Sequence, residues 1–211
     1  RDVAVTGVQT CALPISPGVK REASAIVNQA GGRYVEAAVM VAVPPHRIAS
    51  PMFLGGTHAK DFIALVEPLG FKVTFFSDEV GRASSVKMCR SVMIKGMEAL
   101  ITECMLTART LGVEKEVLGC LGETLPVPDW EKFARYMLTR TLQHGKRRAE
   151  EMREVARTVE EAGFESRMSS ATATRQDESY VLGRGMDLSK SLAELVDAMR
   201  AKQEAQKKAA E

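Results

Sequence analysis

Residues 81–111 read GRASSVKMCRSVMIKGMEALITECMLTARTL, and the spacing predicts one helix over Arg82 to Leu111. At 100° per residue, Lys87, Ser91, Lys95, Glu98, Thr102 and Arg109 fall within roughly 80° of arc. Cys89, Val92, Met93, Met97, Leu100, Ile101, Cys104 and Leu106 cover most of the remaining circumference. A helix of this kind is expected to be buried on most sides. Lys87 heads the polar seam just after Gly81, which makes it a candidate for chemistry, because an ammonium beside apolar walls is driven toward its neutral form. The competing reading is a solvated face with a lysine whose stem lies along apolar surface.

Working outward toward the amino terminus, residues 5–16 read VTGVQTCALPIS. This looks like a short-read sequencing adapter translated in one frame. It fits no helix or strand pattern, and it lacks the basic region and long apolar core of a secretory signal. Residues 1–16 are therefore set aside as an adapter-derived scar. The gene is expected to enter in mid-domain near Pro17, with a preceding portion lost.

Composition bounds the rest. Of 211 residues, 45% are hydrophobic and 27% charged, with a net charge of +2, which is the balance of a soluble protein of one medium or two small domains. So small an excess of positive charge disfavours nucleic acid as a partner. No apolar run reaches the length of a membrane span, so no membrane association and a cytoplasmic location are expected. Cys89, Cys104 and Cys120 are too far apart for a CxxC pair and read as reduced core residues. No His, Cys and carboxylate cluster has metal-ligand spacing, and no nucleophile elbow appears, so neither a metal nor acyl transfer is expected.

The two halves differ in texture. From Lys20 to Ser77, helix and strand signals alternate. A helix over Lys20–Ala30 stops at Gly31 and Gly32, and a strand over Tyr34–Val43 stops at Pro44 and Pro45. A short strand over Met52–Leu54 precedes a helix over His58–Leu69, and Phe71–Phe76 is a further strand. This order indicates part of an α/β sheet, whose three strands leave an edge to be paired by residues outside the set. After Leu111 the chain is expected to be almost wholly helical. Asp129 caps a helix to about Gln143, Gly145 interrupts it, and Lys146–Ala162 resumes it. Ser166–Arg184, rich in Ser and Thr, is expected to be mostly irregular. Asp187 then caps a last amphipathic helix carrying Leu188, Leu192, Leu195, Val196 and Met199, with residues 202–211 fraying.

This order of parts resembles the β-hydroxyacid dehydrogenase superfamily, which includes 6-phosphogluconate and 3-hydroxyisobutyrate dehydrogenases. The branch it most resembles carries a helical C-terminal domain of unknown function. The segments that carry the likeness are YVEAAVMVAVPP (34–45), MFLGG (52–56), GRASSVKMCRSVMIKG (81–96) and HGKRRAEEMREVART (144–158). The fold class implied is α/β plus all-α, a Rossmann-like NAD(P)-binding remnant joined by a long helix to a helical domain. The implied divisions are 17–80, 81–176 and a linker with terminal helix over 177–211.

The resemblance further implies an oxidoreductase using NAD or NADP on a small hydroxy acid or related alcohol. Lys87 takes the place of the superfamily's general acid and base. Ser91 stands where an asparagine is usual, with fewer donors for a substrate oxygen. Arg90 is a nearby cation or a carboxylate ligand. Where the better-known members have a Ser-Gly-Gly turn for the substrate acid, this chain reads Met40, Val41, Ala42, and His46 and Arg47 are the substitute donors nearby. A homodimer is expected because the long helix is apolar around most of its girth. The alternative is a helical dimerisation or binding module without catalysis.

The Lys146, Arg147, Arg148 run suits an anionic substrate or a neighbouring subunit, although such runs are more often solvated helix faces. No GxGxxG turn, which brings a pyrophosphate onto helix N-terminal amides, occurs in the 211 residues. The chain as given is therefore expected to bind either coenzyme poorly. Isothermal titration with NAD and NADP tests this, and binding at about micromolar Kd contradicts it.

Overall fold

The computed structural model describes residues 8–11, 14–41 and 43–210. Strand β2 (Arg33–Val39) is one of the two interior strands of a four-stranded sheet, and its residues Tyr34 to Ala38 are all buried. A strand covered on both faces reads as a continuous apolar run, which explains YVEAAV. On one side β2 pairs in parallel with β1 (Val8–Cys11), in the register Val8 with Arg33 through Cys11 with Glu36. On the other it pairs antiparallel with β3 (Met52–Gly55), which runs parallel to β4 (Val73–Ser77).

The strand β1 is a correction, because it lies within the residues set aside as patternless. Edge pairing uses backbone N–H and C=O groups, so a strand forms there without a side-chain pattern to announce it. Residues 1–7, 12 and 13 of that segment lie outside the described residues.

Helix α1 (Pro17–Gln29) connects β1 to β2, with Pro17 in the first turn and Ser16 as N-cap, its Oγ accepting from the Val19 amide at 3.3 Å. A short turn of helix, α2 (Val43–His46), precedes β3. Helix α3 (Ala59–Val66) packs on the sheet, where Val35, Ala37, Leu54 and Ala59 form the core with Phe62, Ile63 and Phe75 against it.

Helix α4 covers Arg82–Leu111, the expected bounds. Its start is fixed from a distance. Gly81 precedes the helix at φ +102°, a backbone conformation that L side chains rarely adopt, so Ser, Thr or Asp is disfavoured at the position where it normally caps. Glu36 of β2 supplies the carboxylate instead. Its Oε2 accepts from the Gly81 amide at 2.8 Å and its Oε1 from the Ser84 amide at 2.7 Å. Lys20 of α1 lies with Nζ 3.9 Å from Glu36 Oε1 and donates to the Ala37 carbonyl at 3.1 Å, and both charged side chains are buried.

The chain divides into two units. One comprises the described residues of Arg1–Val92 with Glu154–Ser166, and the other comprises Met93–Arg153 with Arg167–Glu211 up to residue 210. One boundary between these units falls inside α4. The second unit holds the rest of α4, α5 (Glu114–Thr124), most of α6 (Trp130–Glu161), α7 (Arg167–Gly183) and α8 (Leu192–Ala210). Its core is Met105, Leu106, Ala134, Leu138, Leu142 and Leu182 with the α8 residues Leu192, Leu195, Val196 and Met199.

Three expectations fail here, each for a local reason. Gly145 does not interrupt α6, which is capped by Asp129 as expected and runs unbroken to Glu161. A Cβ at Gly145 would lie 2.3 Å from the Gln176 carbonyl oxygen and 2.9 Å from Tyr180 Cβ, so the glycine is there to let α7 approach. Residues 167–183 are helical, not irregular, and Ser169, Thr172, Gln176 and Ser179 are buried on one face. Hydroxyls at helical spacing carry no apolar stripe, so the periodicity was invisible to hydrophobic patterning. The last helix begins at Leu192, where Ser191 and Glu194 form a reciprocal box: Glu194 Oε2 accepts from the Ser191 amide at 2.9 Å and Ser191 Oγ from the Glu194 amide at 3.3 Å. Asp187 binds the Ser189 amide and hydroxyl in the preceding turn. Those two bonds hold its carboxyl below the usual carboxylate range.

Two substitutions test these constraints. Gly145→Ala is expected to destabilise by about 1–3 kcal/mol through overpacking. Gly96→Ala, within α4 and with nothing near the added methyl, is expected to be neutral or to stabilise by up to about 1 kcal/mol. Urea denaturation of both variants reads the difference. In the same assay Glu36→Ala is expected to cost about 3–5 kcal/mol, since it strands a buried ammonium and two helix amides. Equal midpoints for Glu36→Ala and the parent chain would contradict the capping role.

Candidate functional site

Two hydrogen bonds fix how the first turns of α4 lie against β2. The Ser84 amide meets Glu36 within the strand. Two turns on, Arg90 Nη1 donates to the Met40 carbonyl just past the strand's end at 3.0 Å. The helix therefore runs alongside β2 in the same direction, and Lys87, midway between these ties, stands near the strand's carboxyl end. Lys87 is half-buried, and Ser91, one turn further, is buried. Because β1 is parallel to β2, both strands end at this edge, the edge at which ligands bind in open α/β sheets.

The sequence-predicted site residues separate into two groups. Lys87, Arg90 and Ser91 share one turn and a half of helix at this strand end. His46 stands exposed on α2 and takes no part in the Glu36, α4 and Met40 set. Ala42 of the divergent turn lies outside the described residues, while Met40 contributes its backbone carbonyl to Arg90.

The same edge holds the N-terminus of α1. Here Glu154 Oε2 accepts from the Ser16 amide at 2.9 Å, while the two oxygens of Glu161 accept from Ser16 Oγ at 2.6 Å and the Gly18 amide at 2.9 Å. A Cβ on Gly18 would lie 2.4 Å from Glu161 Oε1. Two carboxylates thus occupy the amides of this helix N-terminus, which otherwise would be open to an anion. This helix end is therefore closed to a phosphate, and the residues among those described that can serve a ligand stand at the strand end beside Lys87.

Further along α4, in the second unit, the polar seam turns inward rather than toward solvent. Lys95, Glu98 and Thr102 are buried, while Met93 and Leu100 are 63% and 58% exposed. Glu98 accepts from Arg140 Nε, Arg148 Nη1 and Gln176 Nε2, each at 3.0 Å, and Lys95 pairs with Glu151 at 2.8 Å. Burial pushes the Glu98 carboxyl above its ordinary range, against the hydrogen bonds of Gln176 and Arg140 and the charge of Lys95. The expectation of a helix buried on most of its apolar girth is corrected: the polar stripe is the covered one from Ser91 to Thr102. The cysteines are corrected too, since Cys89 and Cys120 are exposed and Cys104 is half-buried. Burial raises the Cys104 thiol above its ordinary value.

Sequence reasoning missed Glu36, Lys20 and the Glu98 partners. A signal existed for the first, a lone acid within an otherwise apolar strand run, because a charge is carried into a sheet interior only with partners. Nothing in the sequence named those partners. Among the described residues no group of three or more His, Cys, Asp or Glu is placed to hold a metal ion, and no helix is long and apolar enough to cross a membrane.

Residues 108–179 match the family described as a domain of unknown function, DUF1932. An uncharacterized 28.5 kDa protein from Methanothermus fervidus is 30% identical over 111 residues, 51% of this chain and 42% of that protein, so the chain spans less than half the length of this curated relative. A conserved hypothetical protein from Sinorhizobium meliloti 1021 is 34% identical with a TM-score of 0.81, over 91% of this chain and 65% of that one. The conserved protein MTH1747, of unknown function and described as structurally similar to 3-hydroxyacid dehydrogenases, is 28% identical with a TM-score of 0.68, over 84% and 68% of the two chains. The 3-hydroxyisobutyrate dehydrogenase of Mycobacterium tuberculosis, solved with L-serine, shares the fold at 16% identity, with a TM-score of 0.61 over 92% and 70%. Residues 108–179 therefore resemble the DUF1932 family, and the chain shares its fold with MTH1747 and the 3-hydroxyisobutyrate dehydrogenase of Mycobacterium tuberculosis.

Proposed function

We propose that the protein is an NAD(P)-dependent oxidoreductase acting on a small hydroxy acid or related alcohol, with Lys87 as its general acid and base. The observation that carries this reading is the place of Lys87 at the carboxyl end of β2, tied on one side by Glu36 and on the other by the Arg90 bond to Met40. The coenzyme supplies the hydride acceptor, and its pyrophosphate site is not among the described residues. The Lys87 amine takes the hydroxyl proton as the carbinol carbon becomes a carbonyl, and returns it in the reverse direction. Ser91 hydrogen-bonds the same oxygen, and Arg90 meets the substrate carboxylate at the strand end. His46 is the donor assigned to the outer rim of that ligand.

A second reading, a helical dimerisation module without catalysis, is favoured by one observation. Met93, Leu100 and Leu111 are 63%, 58% and 69% exposed and fall within about 20° of one another on α4. A second copy of the chain is the partner that such a stripe suits in either reading, and a homodimer in the cytoplasm remains part of the proposal.

Lys87→Ala separates the two. In the whole protein, followed by nicotinamide absorbance over a panel of hydroxy acids, it is expected to lower kcat by about 10²–10⁴-fold while coenzyme affinity stays within about twofold. Turnover within a few-fold of the parent's would contradict the assignment.

A further inference from the structure

The basic run in HGKRRAEEMREVART divides between two sides of α6. Arg148 turns inward to Glu98 and is 3% exposed, whereas His144, Lys146 and Arg147 face outward. With Gln143, Glu150 and Tyr180 of α7 they line a concavity of about 270 Å³ in the second unit. Its wall is fixed rather than fortuitous, because α6 has no side chain at position 145, where a Cβ would strike the Gln176 carbonyl and Tyr180 Cβ. The volume lies just under the range of sites for whole drug-sized ligands, which suits a group of a few heavy atoms.

The charge around this space is mostly positive. Burial lowers the affinity of His144 for a proton, the guanidinium groups of Arg147 and Arg140 lower it further, and only Glu98 opposes them. Arg140 and Arg147 are held by Glu98 and Glu151 respectively. Glu150 is the one acid of the lining, one turn from both Lys146 and Arg147, and it limits the excess so that a polyanion is not favoured.

We propose that this concavity binds a small oxyanion, the phosphoryl or carboxylate group of a metabolite, between His144, Lys146 and Arg147. Lys146 and Arg147 supply charge-assisted donors, and the Tyr180 hydroxyl and Gln143 amide supply neutral ones. An anion seated there reverses the field at the imidazole, so His144 becomes easier to protonate when the site fills. Binding at this site needs no catalysis to be observed.

The test is an NMR titration of the histidine ring protons of the full chain with inorganic phosphate, and in parallel with acetate. His144 is expected to titrate higher by about half a unit or more at saturation, with Kd of about 1–10 mM, while His46 and His58 do not move. Lys146→Gln with Arg147→Gln, both solvent-facing, is expected to weaken the effect at least about tenfold with an unchanged far-UV spectrum. Saturation by phosphate alone supports a phosphoryl ligand, and saturation by both supports a carboxylate. An equal, unsaturating drift of all three histidines, no shift of His144, or a shift that survives the double substitution overturns the proposal.

Discussion

The structure depends on a carboxylate placed where water does not reach. Glu36 lies in an interior strand of the sheet, and burying its charge is tolerable only because two backbone amides and one ammonium meet it. Those amides belong to the first turn of α4, whose positive dipole end is the natural partner of an anion. The requirement to satisfy Glu36 and the requirement to cap a helix that begins after glycine are therefore met by one contact. It fixes both the start of α4 and its direction along β2. The position of Lys87 along β2 follows from that alignment.

The same helix shows how polar residues are accommodated inside the second unit. Glu98 collects Arg140, Arg148 and Gln176, and Lys95 collects Glu151, so the stripe that would face water on an isolated amphipathic helix is the one that other helices cover. Three members of this interior keep an atom unmatched among the described residues: Arg148 Nε, Gln176 Oε1 and Ser179 Oγ. Such groups are where an ordered water belongs. A network of this kind specifies which helices meet more than it adds to stability, because a partner removed leaves a buried charge behind.

Much of the fold was legible because it rested on local rules. The bounds of α4, the turn at Gly31–Gly32, the Asp129 cap and the apolar positions of α8 all follow from short-range preference and spacing. What stayed hidden was set by partners distant in sequence. The strand at Val8–Cys11 exists through pairing with Arg33–Glu36, α7 buries hydroxyls instead of methyls, and Gly145 reads as a break until the neighbouring helix that needs its missing Cβ is known. Of the candidate site, Lys87 and Ser91 were readable on one helix face, with Arg90 as a nearby cation. Glu36, which aligns them, was not, since a carboxylate and the amides it caps are 45 to 48 residues apart. His46, proposed from its nearness to the divergent turn, stands exposed on α2 outside the hydrogen bonds that align those three.

Amide hydrogen exchange at Gly81 and Ser84 tests most directly whether Glu36 holds α4 in place. Both amides are expected to exchange only on global opening in the parent chain, and at least about tenfold faster in Glu36→Gln, where a neutral amide offers a single acceptor. Exchange of these amides in the parent at the rate of a frayed helix end, or protection unchanged by the substitution, would contradict the account.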